Sequence, residues 1–158
     1  MKLNPEPAEQ RVLVLTRLLD APRRLVFQVW TQPEHLARWW GPDNFTLPFC
    51  EVDFREGGAY KFCMRAPDGS DHWVWGAYRE IVEPERLAFT WHRTQVPAEE
   101  NPWGGALVTV TFAEQAGKTL LTLHQATFQK TEERDDHRGG WTECLDRLAT
   151  YVARASSN

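Results

Sequence analysis

Basic charge is in short supply. The 158 residues carry 18 Lys and Arg against 22 Asp and Glu, a net charge of -4. That leaves no electrostatic footprint for nucleic acid, so Arg38-Trp39-Trp40 is not a base-stacking platform. Cysteine is scarce as well. Cys50, Cys63 and Cys144 form no CxxC and no His/Cys cluster with zinc spacing, so free thiols are expected and no metal. No apolar run is long enough to cross a bilayer, so no membrane partner is expected. The opening "MKLNPEPAEQR" lacks the apolar segment of a signal peptide. Residues 1–10 are expected to be a disordered lead-in, and the cytoplasm is the expected location. GxSxG, HExxH, the Walker loop and GxGxxG are all missing, so no catalytic residue and no cofactor are expected.

What is plentiful is tryptophan, eight in 158 residues, about one in twenty and more than an ordinary core needs. Two of the eight are adjacent, in "TQPEHLARWWGP" (31–42). Thr31, Pro33 and Glu34 have the spacing of a capping box, and Gly41-Pro42 ends the helix after barely two turns. Helical neighbours point about 100° apart, so Trp39 and Trp40 should not enter one core from the same side. Trp39 shares a face with Leu36 and is expected in the core. Trp40 is expected at the mouth of a cavity, near the long loop 94–105 with its Trp103, a candidate lid.

The rest of the chain reads as one domain, 11–155. A strand at 11–22 precedes a helix at 23–30 with Val26, Phe27, Val29 and Trp30 on its apolar side. After the WWGP helix come three strand pairs around "EGG", "EPE" and "QAG", with turn chemistry at each spacer. Between 131 and 155, Trp141, Leu145, Leu148, Val152 and Ala155 form one apolar stripe along a helix of about 37 Å. In the first hairpin, pairing 54 with 60, 52 with 62 and 50 with 64 gathers the apolar residues on one face. It leaves a three-residue loop at Glu56-Gly57-Gly58, sets Asp53 against Lys61 and turns Cys50 and Cys63 to opposite faces, with no disulfide between them. Alternation in "LTLHQ" turns Gln125 inward and His124 outward. His35 is expected to be exposed. Gly139-Gly140 breaks helix propensity inside the last helix. It implies either close packing against a strand or space for a ligand beside Trp141. The architecture is α+β: a curved seven-stranded antiparallel sheet wrapped around a long C-terminal helix, with two short helices after the first strand.

The stretches "DAPRRLVFQVWTQPEHLARWWGP", "VDFREGGAYKF", "WGAYREIVEPERLAFTW" and "GWTECLDRLATYV" resemble the activator of heat-shock-protein ATPase homologue-like proteins. These belong to the SRPBCC superfamily, which is START-like and birch-pollen-allergen-like. The resemblance spans about residues 11–153 and implies the helix-grip fold. It does not imply one activity, since members include lipid and polyketide binders and aromatase/cyclases, and it permits monomers and homodimers alike.

One amphipathic helix cannot fill so wide a sheet, so a cavity is expected between them. The first expectation is a binder of a small hydrophobic or aromatic molecule. The ligand-binding candidates are Trp40, Phe54, Tyr60, Phe62, Met64, Trp91, Trp103, Gln125 and Trp141. A cyclase- or hydrolase-type enzyme on polyketide-like substrates in the same cavity is the second expectation. A stress-response or co-chaperone-like protein-interaction module is the third.

Overall fold

The first hairpin departs from the expected register by two residues. In the computed structural model, which describes residues 7–94, 106–128 and 130–156, strand β2 (Thr46–Val52) pairs with β3 (Ala59–Arg65) as Val52↔Tyr60 and Cys50↔Phe62. An even slip keeps every side chain on its expected face, so the apolar pattern cannot distinguish the two registers. Backbone hydrogen bonding does. Gly57 donates to the Tyr78 carbonyl at 2.8 Å, and Tyr78 donates back to the Gly58 carbonyl at 2.9 Å, so the loop is held by the next strand. A Cβ at Gly58 would stand 2.0 Å from the Asp53 carbonyl oxygen, so only glycine fits. The expected three-residue loop is therefore longer. Glu51, not Asp53, faces Lys61, and Asp53 pairs with Arg55 at 3.0 Å. Cys50 and Cys63 lie on opposite faces and are free thiols, as expected.

From β3 the chain runs through β4 (Asp71–Val82), β5 (Arg86–Phe89), β6 (His92–Thr94), β7 (Leu107–Gln115) and β8 (Lys118–Ala126), all antiparallel to their partners. β1 (Leu13–Leu19) returns beside β8, giving the order β1-β8-β7-β5-β4-β3-β2 with β6 on β4. Eight strands stand where seven are expected, because 86–93 is interrupted at Thr90-Trp91. A Cβ at Gly76 would lie 2.1 Å from the Thr90 carbonyl oxygen, so the two strands approach there as only glycine allows. Thr90 Oγ1 accepts from the Ala77 N–H at 2.8 Å, and Tyr60 donates to the Thr90 carbonyl at 2.5 Å. The interruption is thus fixed by two bonding partners, Ala77 and Tyr60, and it ends with Trp91 buried.

Helix α1 (Arg23–Thr31) buries Val26, Phe27, Val29 and Trp30, as its periodicity predicts. α2 (Pro33–Trp39) follows after one residue. The expected capping box does not form. Thr31 closes α1, its hydroxyl donating back to the Phe27 carbonyl at 3.2 Å, and Gln32 caps α2 without a side-chain bond. Thr31 lies too far back along the chain to do both. α3 (Thr131–Ser156) crosses the inner face of the curled sheet with Trp141, Cys144, Leu145, Leu148 and Val152 buried. His124 is exposed and Gln125 buried, as alternation predicts. His35 is half-buried rather than exposed, because its Nδ1 meets the Tyr151 hydroxyl of α3 at 2.6 Å. Among the described residues no helix is long and apolar enough to cross a membrane.

Candidate functional site

Both adjacent tryptophans are buried, Trp39 at 0% and Trp40 at 4% exposure. The expectation that Trp40 sits at a mouth assumes that it is helical. It is not: Trp40 is the C-cap of α2, with φ -66° and ψ 135°, so the 100° rule stops at Trp39. The extended backbone turns the Trp40 ring inward beside Trp39. Trp39 anchors the pair by donating its indole N–H to the Val29 carbonyl at 3.0 Å.

The turn after Trp40 is held by α3. Gly41 takes φ +106°, which leaves the last carbonyls of α2 without helical donors. Arg147 holds the carbonyls just past the helix end, Nη1 donating to those of Gly41 and Pro42 at 2.9 Å each and of Trp40 at 3.4 Å. Gly41 N–H donates to Cys144 Sγ at 3.3 Å, and Asp43 N–H to Glu143 Oε1 at 2.9 Å. Three side chains on one side of α3 thus fix where Trp40 points. Burial pushes the Cys144 thiol up to about 12, so it is a neutral packing and bonding group.

Trp40 is the hub of an aromatic cluster. Its ring centroid lies 5.8 Å from Trp30, 5.3 Å from Trp39, 5.0 Å from Phe62, 6.2 Å from Trp91 and 5.5 Å from Trp141. Most contacts are edge-on or tilted, the arrangement that ring quadrupoles favour. On one side of Trp40 lies an outer cavity of about 50 Å³ lined by Met64, Trp91, His137, Gly140, Trp141 and others. On the other lies an inner cavity of about 10 Å³, among Trp30, Tyr60, Phe62, Tyr78, Leu87 and Phe89. Trp40 borders both and separates them.

Polar groups are few and placed. Trp91 donates its indole N–H to His137 Nε2 at 3.2 Å, and His137 Nδ1 donates to the Glu133 carbonyl at 2.9 Å. The imidazole is therefore the neutral Nδ1–H form. Burial, more than any other influence, holds its proton affinity below the ordinary value of 6.5. Arg93 also lines the outer cavity, and its guanidinium is 3.6 Å from Asp136. Deeper, Trp141 donates to Gln125 Oε1 at 2.9 Å. Gln125 is fully buried, yet among the described residues its Nε2 has no acceptor, and neither has Trp30 Nε1.

Of the expected residues, Trp40, Met64, Trp91 and Trp141 line the outer cavity, and Trp40, Tyr60 and Phe62 the inner one. Gln125 stands behind Trp141. Phe54 lines neither, its ring packing against Phe27 and Tyr78 with centroids 6.1 and 5.2 Å apart. Trp103 and the 94–105 loop from residue 95 lie outside the described residues. Sequence reasoning missed Trp30, Arg93, His137, Cys144 and Arg147. The one available signal was spacing: Gly140, Cys144 and Arg147 fall on one side of α3 and could have been matched to the glycine-ended turn after Trp40. Gly140 approaches no strand. Among the described residues a Cβ there would meet only Pro42, at 3.9 Å, so the missing side chain leaves open space at the cavity.

The sequence matches the family described as Activator of Hsp90 ATPase homolog 1-like protein over residues 20–153. A solved protein of Chromobacterium violaceum is 30% identical, covering 90% of this chain and 97% of its own, with a TM-score of 0.76. An AHSA1 protein of Silicibacter pomeroyi is 24% identical, covers 91% and 99%, and has a TM-score of 0.80. A protein of Nitrosomonas europaea is 22% identical, covers 94% and 98%, and has a TM-score of 0.79. These last two are likenesses of fold. No curated protein matches the sequence.

Proposed function

The chain belongs to the Activator of Hsp90 ATPase homolog 1-like family, and on that premise we propose that it binds a small apolar or aromatic molecule between α3 and the sheet. The observation that carries this is the cavity pair divided by Trp40 and walled by Trp30, Trp91, Trp141, Met64 and Phe62. Concave apolar surface with a few directed polar groups is the usual make-up of a small-molecule site. The cavities are small as they stand, so a ligand of one or two rings is admitted by displacing Trp40, which lies between them.

Binding is favoured over catalysis by the condition of the reactive groups. Both His137 nitrogens are engaged, and the Cys144 thiol is held protonated by burial. A cyclase or hydrolase needs a free acid/base or nucleophile poised at the substrate.

Thermal melting against fatty acids, flavonoids and polyketide-like aromatics tests the reading. A ligand at a hundred times its Kd adds about 2.7 kcal/mol, and melting should rise by about 5–10 °C for a chain of this length. Tryptophan fluorescence should change with it. A screen that moves neither signal contradicts the proposal.

A further inference from the structure

The outer cavity is walled mostly by apolar side chains, and one charge stands among them. Of the described residues that line it, Arg93 alone is ionised, since His137 is neutral and the Cys144 thiol is held protonated. Arg93 reaches the cavity from β6, where it stands opposite Val74 in the ladder. Directly opposed residues share a face. Val74 is fully buried and itself opposes Phe62, so the Arg93 side chain leaves on the inner face of the sheet. Its neighbour His92 takes the outer face, stacked on Trp75. A cation on an apolar inner face is costly unless an anion meets it.

The anion that meets it now is loosely held. Asp136, on α3, has its carboxylate 3.6 Å from the guanidinium, longer than a hydrogen bond. The two side chains are 38% and 73% exposed, so the pair sits at the rim in contact with water. Ion pairs so exposed contribute little. Asp136 does not line the cavity, yet it shows that a carboxylate can reach Arg93. Two other arginines of this region are engaged with backbone and line neither cavity. Arg147 holds the carbonyls after α2, and Arg11 donates to the Phe128 carbonyl at 2.7 Å. Among the described residues, the lining of the inner cavity holds no cation. A charged group therefore finds its partner at the rim and none at the deep end.

Resting on the reading of this cavity as the binding site, we propose that its ligand is an aromatic carboxylate. The ring enters among Met64, Trp91 and Trp141, and the carboxylate stays at the rim on Arg93, displacing Asp136. With its charged end still near water, such a ligand gives up little hydration on binding.

Calorimetric titration near neutral pH with two probes of one size tests this: 2-naphthoate, which is ionised there, and its neutral isostere 2-acetylnaphthalene. The wild-type protein should bind the carboxylate about tenfold tighter than the ketone. That preference should shrink between about 0.05 and about 0.5 M salt. Asp136→Asn removes the competing carboxylate and should tighten 2-naphthoate binding while the ketone's affinity stays unchanged. Arg93→Gln should bring the two probes to similar affinity, and its binding of the ketone reports that it folds. Carboxylate binding no tighter than ketone binding in the wild type overturns this inference and leaves the site reading standing. So does a preference that survives Arg93→Gln. An equal gain for both probes in Asp136→Asn would make the ion pair a latch over the mouth, and overturns it too. Binding of neither probe overturns the site reading, and this inference with it.

Discussion

His137 accepts from Trp91 through Nε2 and donates to the Glu133 carbonyl through Nδ1, so a second proton has no place without breaking the Trp91 bond. Burial is the largest reason its proton affinity lies below 6.5. The Arg93 charge acts in the same direction, while the Glu133 carbonyl and the Glu133 and Asp136 carboxylates oppose it. The sign for stability follows from linkage. Below about pH 6.5 the unfolded chain takes a proton that the folded chain refuses. Stability should therefore fall as pH drops from 6.5 toward the lowered native value, and level off beneath it. Melting temperatures across this range should show the slope in the wild type, and His137→Gln should flatten it. A His137→Gln profile as steep as the wild type's would mean that this imidazole is not the titrating group. At this scale the sequence was only partly legible. Alternation placed Gln125 inward and the helical stripe buried Trp141, because both depend on local periodicity. His137 and Cys144 were invisible as site residues, because their roles depend on which turn of α3 meets residues 40–43 and Trp91.

Among the elements, α3 carries the clearest conflict between propensity and position. A glycine inside a helix costs about 1 kcal/mol relative to alanine. Among the described residues a Cβ at Gly139 meets nothing within 4 Å, and one at Gly140 meets only Pro42 at 3.9 Å, so packing explains neither. Both Gly139→Ala and Gly140→Ala should stabilise the fold by about 1 kcal/mol, raising the melting temperature by about 2–4 °C. Only Gly140 lines the outer cavity. Gly140→Ala should therefore weaken probe binding while Gly139→Ala leaves it unchanged. Equal affinities for the two variants would place the ligand elsewhere. The elements themselves were well foreseen, α1 and α3 almost to the residue, since each carries a long periodic pattern. The failures lay where tertiary bonds decide. Tyr78 reaching Gly57 and Gly58 set the hairpin register, and Gly76 meeting Thr90 cut one strand into two. Trp40 leaving the helix one residue early put both tryptophans inside.

Over the whole molecule, the curled sheet and α3 enclose most of the tryptophan on one side. Trp30, Trp39, Trp40, Trp91 and Trp141 form the inner cluster. Trp73 and Trp75 lie on the outer face of the sheet. Lys61 Nζ stands 5.2 Å from the Trp73 ring, and Trp75 stacks on His92 at 5.4 Å. This division makes the indole N–H resonances a map of where a ligand binds. In ¹⁵N-labelled protein titrated with 2-acetylnaphthalene, the resonances of Trp30, Trp40, Trp91 and Trp141 should shift, while those of Trp73 and Trp75 stay in place. Shifts confined to Trp73 and Trp75, or no shift at any indole at saturating probe, would contradict a binding site between α3 and the sheet.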